Sequence, residues 1–235
     1  MRNILFFAIF FTLSCLRAQD TTFTVEDFEI KIDNSNFSVF REQSPVFSRS
    51  FNDPSIFTAD LNNDGLEEVV VFDYDLKEGQ ECYSAYIFDC SGSFTMTDSI
   101  YSGLKEPYLL ETGESEKIIV VTGSPDFDSL YVPAAGTPFS PLVCWAFEDT
   151  SLTRVNDEMY DVFIDENEKN IDFIKSYYTQ HGSSCETSMQ LKQVLAAVYA
   201  NYMYADEKAL AEMILVRFYY CSDGVQFRES INNLL

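Results

Sequence analysis

The chain has 235 residues, 38 acidic and 15 basic, and a formal charge of −23. A surface of that sign repels phosphate backbones and anionic headgroups, which argues against nucleic acid as a partner. Aromatic side chains make up 15% of the residues, enough for a packed core in one large domain or two small ones.

The first residues, MRNILFFAIFFTLSCLRAQD, read as a secretory leader. Arg2 supplies the positive start, Ile4 to Leu13 a short apolar stretch, and Ala18 a small residue before a cut at Gln19. That stretch is too short to span a bilayer, and no later run is long enough for a transmembrane helix. The competing reading is lipidation at Cys15, where Ser14 suits a lipoprotein signal but Leu13 and Thr12 fit poorly. Losing residues 1–18 removes Arg2 and Arg17 and takes the formal charge from −23 to −25. The expected location is exported: periplasmic, associated with the outer membrane, or extracellular.

After the leader, Thr21 to Phe51 is extended, with F-E-I-K-I alternating and D-N-S-N as a turn. A repeat follows. P-S-I-F-T-A-D-L-N-N-D-G-L-E-E-V-V-V-F starts at Pro54, and E-P-Y-L-L-E-T-G-E-S-E-K-I-I-V-V-T at Glu106. A weaker third copy, M-Y-D-V-F-I-D-E-N-E-K-N-I-D-F-I, starts at Met159. The spacing of about 50 residues is in the range of blade-like repeats. More strand material follows the first two copies, so each unit reads as a small antiparallel meander. From Glu186 the pattern turns helical, with Leu191, Val194, Leu195, Val198 and Tyr202 on one stripe. Asp206 is the expected N-cap of a second helix, and a short third helix starts near Val225.

The expected fold is therefore α+β, an open set of two or three antiparallel meanders followed by a helical hairpin and a short helix. The expected division is a leader at 1–18, a β-repeat domain at 19–175 and a helical segment at 176–235 packed on it.

Asp60, Asn62 and Asp64 present oxygens at alternate positions, Gly65 permits a sharp bend, Leu66 can offer its carbonyl, and Glu68 closes the set. Calcium takes six or more oxygens, and a loop curling around it supplies them at every second residue. An EF-hand would need a glutamate at the twelfth position and a helix after it. Val71 stands there instead, inside the strand-like V-V-V-F. The alternative is an Asx-rich turn without metal.

The stretch F-T-A-D-L-N-N-D-G-L-E-E-V-V-V resembles the FG-GAP, or VCBS-type, repeat of integrin-like β-propellers. In that family the loop binds calcium between two strands of a blade. The resemblance implies that role for Asp60, Asn62, Asp64, Leu66 and Glu68, with glutamate standing at Glu68 where aspartate is commoner. The second copy lacks the ladder of oxygens and carries Lys117, so no ion is expected there; the third offers Asp165 and Asn167 without a glycine. Three repeats do not close a propeller, which needs about four blades. The tail loosely resembles the helical ends of secreted bacterial proteins with FG-GAP-like repeats, and that brings no activity with it.

Cys82, Cys90, Cys144, Cys185 and Cys221 follow the leader, an odd number. Helices starting after Cys185 and ending before Cys221 make a bridge between these two feasible. Cys82 and Cys90 on one strand lie about 26 Å apart and do not bridge. There is no zincin motif, no P-loop and no dinucleotide fingerprint. His181 is the one histidine, in Q-H-G-S-S-C, and a Cys–His pair with Cys185 is the nucleophilic reading it offers. Asp126 and Asp128 are the best-placed loop acids for carboxylate chemistry. The leading expectation is a calcium-stabilised, exported binding or structural protein, not an enzyme, with an unknown protein or glycan as partner. The alternatives are a secreted hydrolase, using surface carboxylates or the Cys185/His181 pair, and an envelope-anchored inhibitor or accessory subunit.

Overall fold

Hydrophobic patterning separates the strands into two kinds. In the computed structural model, which describes residues 16–17, 21–77, 79–113, 117–130, 139–148, 150–182 and 189–235, the alternating strands come first. Strands β2 (Thr21–Val25), β3 (Phe28–Asp33), β4 (Asn36–Arg41) and β5 (Ser44–Ser50) form an antiparallel meander. Along β3, Phe28, Ile30 and Ile32 are buried while Lys31 and Asp33 are exposed. One buried face per strand is what an outermost sheet requires.

The second meander is β6 (Asp53–Ala59), β7 (Glu68–Lys77), β8 (Gln80–Asp89) and β9 (Thr95–Gly103). Its valine run is buried on both faces, and alternation sorts it. Val69, Val71 and Phe88 pack against Ile30, Phe37 and Val39 of the first sheet. Val70, Phe72, Ala85 and Ile87 face Val120 and Phe147 of the third. That third sheet is β10 (Tyr108–Glu111), β11 (Ile118–Gly123), β12 (Leu142–Glu148) and β13 (Ser151–Arg154). Its other face, with Ile119, Val121, Cys144 and Ala146, meets Phe163 from the helices. The result is a stack of three open sheets closed at one end by helices. A short β1 (Leu16–Arg17) lies on the edge of β6, Leu16 opposite Ile56; cutting after Ala18 would remove it and leave β6 as the edge.

The helical layer differs from the sequence reading in two places. The third repeat, expected as strands around a turn from Met159, is instead helix α1 (Tyr160–His181). The change from strand to helix comes at Tyr160 and not at residue 176. The stripe that makes α1 a helix is Phe163, Asn167, Asn170 and Ile174, all buried. Helix α2 (Met189–Tyr204) is buried nearly all round from Leu191 to Tyr202 and forms the centre of the layer. It is followed by α3 (Lys208–Phe218) and α4 (Gly224–Asn232). Asp206 is not the cap of α3: Glu207 stands there without a side-chain cap bond, and Asp206 has φ of 56° and pairs with Lys208. Among the described residues no helix is long and apolar enough to cross a membrane.

Buried amides tie the helices to the third sheet. Asn201 on α2 accepts the Leu142 backbone N–H at 2.9 Å and donates to Asn167 Oδ1 at 3.0 Å. Asn167 on α1 donates in turn to the Val198 carbonyl at 3.1 Å. Asn156 accepts the Cys144 N–H at 2.8 Å, holding the chain as it leaves β13. Cys82, Cys90 and Cys144 are buried free thiols, and burial raises Cys90 and Cys144 to about 12, which keeps them protonated. Cys221 is disulfide-bonded; its expected partner Cys185, like Cys15, lies outside the described residues.

Candidate functional site

The Asp60 loop joins β6 to β7, so its two ends are fixed by a ladder running from Ala59 opposite Glu68 to Asp53 opposite Tyr74. Between them the acidic side chains organise the turn. Asp60 accepts the N–H of Asp64 at 3.1 Å through one oxygen and of Gly65 at 2.9 Å through the other. Asn62 Oδ1 also accepts from Asp64 N–H at 2.9 Å, while its amide donates to Asp64 Oδ2 at 3.1 Å. Asp64 accepts the Leu66 N–H at 2.8 Å. Gly65 has φ of +89° with nothing near a would-be Cβ, so the bend needs glycine for its backbone and not for space.

Glu68 is set apart from these three. It is 1% exposed and accepts the Leu61 N–H at 2.7 Å. Burial lifts its pKa to about 7, opposed by the Leu61 hydrogen bond and reinforced by Asp64, Asp60 and Asp89. The hairpin therefore gathers all five expected positions into one turn, and it links Asp60, Asn62 and Asp64 directly. Glu68 it turns toward Leu61. Among the described residues no three His, Cys, Asp or Glu side chains converge in a metal-holding group. The donor chemistry, oxygen throughout with excess negative charge, fits a hard divalent cation. Each carboxylate oxygen keeps lone-pair capacity beyond its bond to the backbone.

A raised carboxyl pKa has a sign. Glu68 is protonated more readily in the folded chain than in the unfolded one, whose value is near 4.5. Its contribution is complete below that value and is lost as pH rises through about 7. In EDTA, stability should fall by about 2–3 kcal/mol between pH 5 and pH 8 through this group. Asp73 and Asp128 are raised as well and act in the same direction. Denaturant titrations of wild type and Glu68→Gln at both pH values isolate its share: the variant should lose that part of the slope.

The remaining expected positions are dispersed. Asp165 and Asn167 lie on α1, and Asn167 is committed to the amide network, so the third copy offers no loop for an ion. In the second copy Thr112 N–H bonds the Lys117 carbonyl across the turn, and residues 114–116 lie outside the described residues. His181 ends α1, exposed and stacked on Tyr177 with centroids 4.4 Å apart. Asp126 and Asp128 sit in a 3-10 turn, Pro125–Leu130. Burial lifts Asp128 to about 7 against a hydrogen bond from Leu104 N–H, while Asp126 is exposed. What the sequence reading missed is a cavity beside the loop, between it and the ends of β11 and β12.

No protein-family model matches the chain, and no curated protein and no solved structure matches it significantly.

Proposed function

We propose that the chain is an exported β-repeat protein of the FG-GAP kind, stabilised by calcium at the Asp60 loop, with a binding or structural role. The observation that carries this reading is Glu68: a carboxyl group 1% exposed, at the foot of a buried strand, with Asp60 and Asp64 close enough to raise its pKa. Burying a carboxylate among carboxylates is costly without a compensating cation. Asp60, Asn62, Asp64, Glu68 and the Leu66 carbonyl would hold the ion. Bound there, it supplies charge neutralisation and a link across the β6–β7 hairpin, hence folding energy and no reaction chemistry.

The first two copies, β6–β9 and β10–β13, are meanders stacked face to face, and a further meander, β2–β5, stacks on the first of them, which supports a blade-like reading of these two repeats. The helical layer covers the apolar face that a fourth blade would otherwise cover. Calorimetric titration tests the site. Calcium should bind with one-to-one stoichiometry to wild type and bind at least about tenfold more weakly to Asp64→Ala, which loses one charged ligand. Equal heats from the two proteins would remove the ion from this loop.

A further inference from the structure

Helix α3 is apolar on two sides. Its inner side, with Ala211, Ile214 and Leu215 buried, packs into the helical core. Its exposed residues are Lys208, Ala209, Met213, Val216 and Arg217. Met213 is 47% exposed and Val216 67%, and Tyr220, just past the helix end, is 66% exposed. With about 100° between successive residues, Ala209, Met213 and Val216 fall on one line opposite the buried side. A helix that is apolar all round is ordinarily covered all round. No exposed residue of α3 is acidic, in a chain with 38 acids. Arg217, beside this line, lies over the Phe218 ring at 5.2 Å and has no carboxylate partner among the described residues.

We propose that this face pairs with the same face of a second copy of the chain, the two α3 helices lying parallel. The spacing from Ala209 through Met213 to Val216, four residues and then three, is that of the seam in a two-stranded coil. Glu212 and Arg217 flank the seam on opposite sides. In a parallel pair such flanking residues meet across the seam at a separation of five positions. Glu212 of each copy therefore faces Arg217 of the other. The Glu212 carboxylate is already held in place: Tyr199 donates to Oε1 at 3.0 Å and Arg228 pairs with Oε2 at 3.0 Å. Its side chain is still 46% exposed, with lone pairs left for a second guanidinium. An antiparallel pair brings Arg217 toward Arg217, so the charges select the parallel one. Two copies that each carry −23 repel over most of their surfaces. An acid-free apolar face with an unpaired arginine is where they can meet.

A face this short buries less than about 1,200 Å² in the pair, so the dimer is weak, with Kd of about 10–100 µM. The test is sedimentation of the whole exported chain at physiological salt, from about 2 to about 500 µM, a range that brackets that Kd. The wild type should pass from monomer to dimer across this range. Val216→Glu, folded by its melting curve, should stay monomeric throughout, because it sets two carboxylates against each other in the seam. Arg217→Glu should weaken the dimer about tenfold or more. Seam positions of a parallel pair face their own counterparts, so Met213→Cys should oxidise to a covalent dimer on a non-reducing gel. Monomer at every concentration, a dimer that Val216→Glu leaves intact, or a dimer that Met213→Cys does not trap overturns the proposal. The inference does not rest on the ion at the Asp60 loop, which joins β6 and β7. Asp64→Ala should therefore dimerise as the wild type does, and the two readings fail separately.

Discussion

Phe37→Ala should destabilise the chain by about 3–5 kcal/mol, the cost of emptying a large aromatic site in a packed core. Phe37 is 0% exposed at the junction of the first two sheets. Its ring stacks on Phe88 with centroids 5.5 Å apart and meets Phe47, Phe51 and Phe94 within 6.2 Å. The first sheet has only one apolar face, so removing its central contact weakens its whole attachment to the stack. The melting temperature should fall by about 10 °C or more for a chain of this size. Phe40 on the same strand lies on the outer face under Lys31, and Phe40→Ala should cost far less. Equal losses from the two substitutions in denaturant titrations would mean that the sheets do not stack through this cluster.

The second large effect belongs to Asn201. Asn201→Ala orphans the buried Leu142 N–H and takes the donor away from Asn167 Oδ1. Each unsatisfied buried group costs about 1–3 kcal/mol, so a total near 3 kcal/mol is expected. Asn167→Ala should cost a similar amount, since the Val198 carbonyl and the Asn201 amide then lose a partner. The double variant should cost less than the two singles together, because the groups share one network. Strict additivity in that cycle would show the amides to act separately.

The same network explains why α1 was hidden in the sequence. Its buried stripe is Phe163, Asn167, Asn170 and Ile174, a helical spacing in which two of the four residues are amides. Hydropathy sees only the flanking Val162, Phe163 and Ile164, and Ile171, Phe173 and Ile174, which imitate two strands around the acidic D-E-N-E-K-N. Tertiary hydrogen bonds between α1 and α2 decide the matter, and these are invisible in the local pattern. By contrast, F-E-I-K-I-D and V-V-V-F announced one-faced and two-faced burial directly, because strand alternation is a local property.

The loop was legible for a related reason. Asp60, Asn62, Asp64 and Gly65 act within one turn, so their spacing states their geometry. The burial of Glu68 was not legible, since it depends on the sheets packed around the foot of β7. Nor was the cavity beside the loop, whose walls come from Leu61, Asn62 and Asn63 and from the ends of β11 and β12, brought together by the packing of the second sheet on the third.

The most direct measurement is thermal melting of wild type and Asp64→Ala at neutral pH, each in EDTA and in millimolar calcium. The account requires calcium to raise the melting temperature of wild type and to raise that of Asp64→Ala clearly less. Coincident melts of wild type in EDTA and calcium would contradict it, and the hairpin would then be an Asx-rich turn held by its own backbone bonds.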